Sequence, residues 1–197
     1  MYIVLEGCIG SGKTTIAKLL EAERNSDLIL EQFEGNPFLK KFYLNPLLYA
    51  LETELAFVLI HYHQVFHELK QVKNGEYISD FHISKDLLFA EMNLNNKDLT
   101  IFKNLYTALT ERLPVPDVVV CLQCSDELIL KRVEERKRNI ETQTTPQYFI
   151  KLNRLYEKYF KEIEWPKVLI SMDEHDFVKD PSCTDRLSQE IDKFSHV

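Results

Sequence analysis

The sequence predicts an α/β fold built on a parallel sheet with helical crossovers, on three observations. Short apolar runs alternate along the chain with longer stretches of helical periodicity. The runs are rich in Val, Ile and Leu and show little polar alternation, as expected of strands covered on both faces. The first run ends in a glycine-rich turn that opens directly into an amphipathic segment.

Taken in order, residues 2–6 (YIVLE) form the first expected strand and residues 12–23 the helix after it. Residues 28–32 (LILEQ) are the second strand. A long helix follows over 47–72, with Leu51, Leu55, Val58, Leu59 and Tyr62 recurring on one face. Core packing accounts for most of that stripe, and so long a face could also meet a second copy of the chain. Residues 77–81 (YISDF) are the third strand, and a helical pattern runs from Ser84 to Leu113 until Pro114 and Pro116 end it. The fourth strand covers 117–122 (DVVVCL), followed by helices over 125–137 and 146–162. The fifth strand covers 167–171 (KVLIS), and a terminal helix spans 185–194. There is no internal repeat, low-complexity stretch or long linker, so residues 1–197 read as one domain.

Composition narrows the function classes. A chain with 45% hydrophobic and 28% charged residues reads as an ordinary soluble protein. Its net charge of −7 argues against a nucleic-acid partner, though it leaves room for a local basic pocket. No apolar run approaches the roughly 18 residues that span a bilayer. The N-terminus, MYIVLEG, lacks a basic region and a cleavage site, so a cytoplasmic protein with no membrane partner is expected. Four scattered cysteines do not make a disulfide framework. Cys121 and Cys124 have the CxxC form, but no second ligand pair accompanies them, and strand packing explains them more simply. His61, His63 and His67 are spaced two and four apart; a solvated or packed helix face suits them better than a shared metal.

The strongest signal is Gly7-Cys8-Ile9-Gly10-Ser11-Gly12-Lys13-Thr14, followed by Thr15, a full match to GxxxxGK[ST]. It sits between an expected strand and an expected helix, the context the motif requires. Glycines let the loop turn its backbone N–H groups inward, and the helix N-terminus adds the positive end of a dipole. Lys13 would reach the outer phosphates of ATP and Thr14 would offer its hydroxyl to Mg²⁺. The guanine-reading NKxD of switch GTPases is absent and the chain is short for a motor, so a small kinase fits best. Glu31 and Asp80 close the second and third expected strands, and ligands sit at strand carboxyl ends in such sheets. Two carboxylates facing a phosphate loop suit a general base and a Mg²⁺ anchor, with Thr14 and Asp80 as the metal pair. Either acid alone could instead be a solvated or helix-capping residue.

These landmarks resemble the deoxynucleoside kinase family, over Met1 to about Phe160. EGCIGSGKTT is similar to its phosphate loop, ILEQF to the strand carrying its catalytic glutamate, and FYLNPLLYALETE to its sugar- and base-binding segment. RKRNIE is similar to its lid motif, RxRxxE. The resemblance implies a P-loop kinase fold: a five-stranded parallel sheet in the order 2-3-1-4-5, flanked by helices, with a lid over about 132–145. It also implies a homodimer through the two long helices. Glu31 would take the proton of a deoxynucleoside 5′-hydroxyl as that oxygen attacks the γ-phosphorus. Tyr43 and Glu141 would hold the 3′-hydroxyl, Glu54 would read the base and Phe89 would stack on it. Arg136 and Arg138 would close over the phosphates.

Two departures stand out. Where the family shows an acid followed by Arg-Ser, this chain has Asp80-Phe81-His82, so Lys85, His82 or a lid arginine must supply the missing cation. Glu54 stands where a glutamine is usual; an ionised carboxylate only accepts hydrogen bonds, which favours a purine edge offering N–H groups. The rival readings are a kinase of nucleoside monophosphates or metabolites, and a nucleotide-binding regulator without transfer activity. Between Glu31 and Glu54 the adjacent cations are Lys40 and Lys41, which suits a neutral sugar better than a phosphorylated acceptor.

Overall fold

A computed structural model describes residues 1–68, 75–136 and 144–195. The chain runs through β1 (Tyr2–Gly7), α1 (Lys13–Arg24), β2 (Asp27–Ile29), a 3-10 turn (Phe33–Gly35), α2 (Leu39–Leu44) and α3 (Pro46–Glu68). It continues through β3 (Tyr77–Ser79), α4 (Ser84–Asn93), α5 (Asn96–Thr110), β4 (Val118–Gln123), α6 (Asp126–Arg136), α7 (Pro146–Glu162), β5 (Lys167–Ser171) and α8 (Ser182–Asp192). The five strands form one parallel sheet in the order β2-β3-β1-β4-β5, as expected.

The apolar strands explain that layering. Every residue of β1 is buried, as are the first five of β4, so both central strands need a helical layer on each face. Ile16, Ala17 and Leu20 of α1 supply one, and Phe149, Leu152, Tyr156 and Phe160 of α7 add to the same core. The chain leaves β1 for β2 on one side and leaves β3 for β4 on the other. The carboxyl ends of the adjacent strands β1 and β3 therefore open a crevice, where such sheets bind ligands.

The structure corrects several expected boundaries. The second strand stops at Ile29, before Glu31, and the third at Ser79, before Asp80. Beyond those points the backbone bonds to side chains: Asp80 Oδ1 accepts from the Glu31 amide at 2.8 Å, and Gln64 Oε1 from the Gln32 amide at 3.3 Å. The expected single pattern from Ser84 to Leu113 is two helices. Asn95 breaks it, because its side chain accepts from the amides of Lys97 and Asp98 and starts α5 afresh. Helix α2, six residues anchored by buried Leu39 and Phe42, is too short to show periodicity in sequence. The terminal helix begins earlier than expected, at Ser182.

Candidate active site

The phosphate loop joins β1 to α1. Gly10 and Gly12 carry φ angles of 87° and 102°, which residues with a Cβ rarely adopt; this is the physical reason for glycine at both. Lys13 Nζ donates to the carbonyls of Gly7 at 2.6 Å and Cys8 at 3.1 Å, folded against its own loop. Burial lowers the Lys13 pKa, as does the neighbouring Lys85, while Glu6 and Glu31 oppose the shift. Such a lysine gains from an anionic partner. Gly10, Gly12, Lys13, Thr14 and Thr15 line one cavity of about 610 Å³, within the range of small-molecule sites.

Asp80 links this loop to the acceptor side. Its Oδ2 accepts from the Thr14 hydroxyl at 2.5 Å and its Oδ1 from the Glu31 amide at 2.8 Å. Glu31 follows β2 and lines the same cavity. Lys85, from the first turn of α4, approaches Glu31 Oε1 to 2.5 Å, and His61 Nε2 from α3 lies 3.4 Å from that oxygen. Burial alone would raise the Glu31 pKa, but the charges of Lys85 and His61 outweigh it and hold the carboxyl well below the ordinary range. Glu31 is therefore ionised at neutral pH.

Lys85 reaches Glu31, as a stand-in for the missing arginine would. His82 does not: its Nδ1 pairs with Ser84 Oγ at 2.8 Å, its ring packs edge-on against Trp165, and burial pushes its pKa down to about 3. The Lys85 ammonium stays charged because Glu31, Asp86 and Glu6 offset its burial.

Thr14 and Asp80 also pass a chemical test for Mg²⁺. This cation takes hard oxygen ligands, commonly one or two carboxylates completed by phosphate oxygens and water. A hydroxyl and a carboxylate oxygen already side by side fit that pattern. Among the described residues no cluster of three or more His, Cys, Asp or Glu could hold a metal on protein ligands alone, so phosphates would complete the shell.

The remaining wall includes Tyr43, Glu54, Phe57, Phe89, Asn93 and Tyr148. Glu54 Oε1 accepts from Asn93 Nδ2 at 2.8 Å, while Oε2 is buried without a hydrogen-bond partner. Burial pushes the Glu54 pKa up to about 8, against the Asn93 hydrogen bond and with help from Asp86. A carboxyl held that high favours its protonated form, which both donates and accepts, as glutamine does. In that form Glu54 is not the accept-only carboxylate expected from sequence, and its charge carries no weight for a purine.

Of the expected site residues, the loop, Glu31, Tyr43, Glu54, Asp80, Phe89 and Arg136 come together around the cavity, where Ile9, Gly10 and Gly12 to Thr15 represent the loop. Gly7, Cys8 and Ser11 form its underside: Cys8 and Ser11 are buried and Gly7 ends β1. Arg138, Glu141 and the middle half of the expected lid lie outside the described residues. Cys121 and Cys124 are free and buried, one in β4 and one just after it, as strand packing required.

Sequence reasoning missed several contributors. His61 is fully buried beside the acid, although His63 and His67 on the same helix are exposed. The available signal was spacing: 61 stands seven residues, or two turns, after Glu54 on the same helix face. Glu6 was also missed. It is buried beneath the loop, its Oε1 accepts from the His82 amide at 2.7 Å, and burial raises its pKa to about 7. Arg132 donates from α6 to the Ser11 carbonyl at 2.9 Å, tying the start of the expected lid to the loop.

Comparison with known proteins identifies the family and the fold. The family model described as deoxynucleoside kinase matches residues 3–196. A deoxyguanosine kinase of Bacillus subtilis is 33% identical, over 96% of this chain and 95% of its own. One of Lactobacillus acidophilus is 30% identical, over 99% and 91%. In fold, the chain is similar to the deoxyadenosine kinase of M. mycoides solved with dCMP and dCDP. The TM-score is 0.86 at 20% identity, over 98% of this chain and all of that one.

Proposed function

The chain belongs to the deoxynucleoside kinase family, whose members phosphorylate deoxynucleosides with ATP, and from that premise we propose a purine deoxynucleoside 5′-kinase acting in nucleotide salvage. The observation that carries the site assignment is the double contact of Asp80, one oxygen on Thr14 and the other on the Glu31 amide. It brings donor and acceptor sides to one carboxylate. The 5′-hydroxyl oxygen forms a bond to the γ-phosphorus, the bond to the ADP oxygen breaks, and Glu31 takes the hydroxyl proton. Lys13 and Arg136 offset charge on the transferred group, and Arg138 belongs with them. Thr14 and Asp80 would hold Mg²⁺, which when bound to the phosphates neutralises developing charge.

On the acceptor side, Tyr43 and Glu141 are assigned to the sugar 3′-hydroxyl, Glu54 to the base edge and Phe89 to its face. The purine preference draws support from the two deoxyguanosine kinases, no longer from the charge of Glu54. The same reading includes a cytoplasmic homodimer. Among the described residues no helix is long and apolar enough to cross a membrane. Leu59 on α3 and Ile101 on α5, each about half exposed, are apolar surface that a dimer contact would cover.

A coupled assay with ATP and a panel of deoxynucleosides tests the proposal. Deoxyguanosine or deoxyadenosine should exceed deoxycytidine and thymidine in kcat/KM by about tenfold or more, the discrimination a base-reading polar site supports. Turnover of nucleoside monophosphates alone would favour the rival kinase; nucleotide binding without turnover would favour a regulator.

A further inference from the structure

We propose that His61 is a positioning residue for phosphoryl transfer, holding the carboxyl of Glu31 through one ring nitrogen while Asp86 fixes the other. The inference rests on the assignment of Glu31 as the base. His61 is fully buried and, unlike Glu31 and Asp86, does not line the cavity, so it acts through those two side chains. Its ring stacks on Phe57, with centroids 5.5 Å apart, and tilts against Phe81 at 4.8 Å, which fixes the imidazole plane. Nδ1 lies 2.8 Å from both carboxylate oxygens of Asp86, leaving Nε2 directed at Glu31.

Nε2 makes no hydrogen bond within ordinary limits; its ion-pair neighbour is Glu31 Oε1 at 3.4 Å. A buried polar atom with one nearby acceptor favours any movement that shortens that contact. Lys85 and His61 make their nearest approach to the same oxygen, Oε1. This assigns Oε2 to the acceptor hydroxyl and gives the carboxylate a defined face. One turn further along α3, Gln64 completes the grip: its Nε2 donates to the Leu30 carbonyl at 2.5 Å and its Oε1 accepts from the Gln32 amide. The helix thus holds the segment bearing the acid by its backbone and the acid itself by its side chain. That is what a residue beyond the end of its strand needs, since no ladder bond fixes it.

Two substitutions separate the two ends of the ring. His61→Asn keeps an amide near Nδ1, and so a partner for Asp86, but loses the reach to Glu31; His61→Gln places its amide near Nε2. Both are assayed beside Glu31→Gln, with thermal melts to check folding. His61→Asn should lower kcat about tenfold or more with the ATP KM within about twofold, because a misplaced catalytic group costs up to about 10²-fold. His61→Gln should recover most of that loss. In a double-mutant cycle, His61→Asn should cost little more once Glu31 is already Gln. A folded His61→Asn enzyme with normal kcat beside a crippled Glu31→Gln enzyme overturns this inference alone. So does a defect confined to the deoxynucleoside KM, or a loss that His61→Gln does not relieve. An unimpaired Glu31→Gln enzyme overturns the base assignment and this inference together.

Discussion

Glu54 shows how burial alone changes what a residue can say to a ligand. In sequence it is an acid in place of a glutamine; in the fold burial favours its neutral form, with one oxygen on Asn93 and the other unpartnered. Burial pushes its pKa up to about 8 in the folded protein, against 4.5 for an ordinary glutamate. The folded state therefore holds this proton more tightly than the unfolded chain does. The associated stability is fully present below about pH 4.5 and is lost as pH rises through about 8. Glu54→Gln, a neutral isostere, removes that dependence. Thermal melts of the ligand-free protein should show the Tm of the variant gaining on wild type between pH 5.5 and pH 8.5; a constant difference would show that Glu54 ionises normally. Residue identity was legible at this position and ionisation state was not, because the latter depends first on burial in the assembled fold, with Asn93 and Asp86 of another helix as smaller, opposing effects. The same holds for Lys85 and His61. Their types were visible, but that both point at Glu31 is a product of α3 and α4 packing together.

At the scale of elements, sequence legibility followed the length of the signal. Strands β1, β4 and β5 and helices α1 and α7 fall within a residue of their expected positions, because each carries a continuous apolar run or a sustained helical period. The failures have local causes. The runs ending in Glu31 and Asp80 look like strand, yet side chains of Asp80 and Gln64 replace the ladder there. The pattern after Ser84 looks like one helix, yet Asn95 competes for the backbone and restarts it. Asn95→Ala tests that reading. Losing an N-cap of this type costs about 1 kcal/mol, so chemical denaturation should show a loss of that size with kcat unchanged. No loss of stability would mean that tertiary packing, not the cap, sets the start of α5.

Across the whole molecule, the parallel order β2-β3-β1-β4-β5 places the ends of β1 and β3 side by side, so a loop from residue 7 onward meets an acid at residue 80. The glycine pattern and the two acids were enough to locate that meeting from sequence. The cations behind it, Lys85 and His61, required the assembled fold. All of it converges on Glu31, held ionised beside the phosphate loop, where the proposed mechanism places the sugar hydroxyl. The most direct test is the kcat of Glu31→Gln with ATP and a purine deoxynucleoside, read beside the affinity for ATP. General-base catalysis supplies about 10² to 10⁴ in rate, so kcat should fall by about 10²-fold or more while ATP still binds as in wild type. A variant that turns over at the wild-type rate would contradict the placement of Glu31 at the reacting hydroxyl.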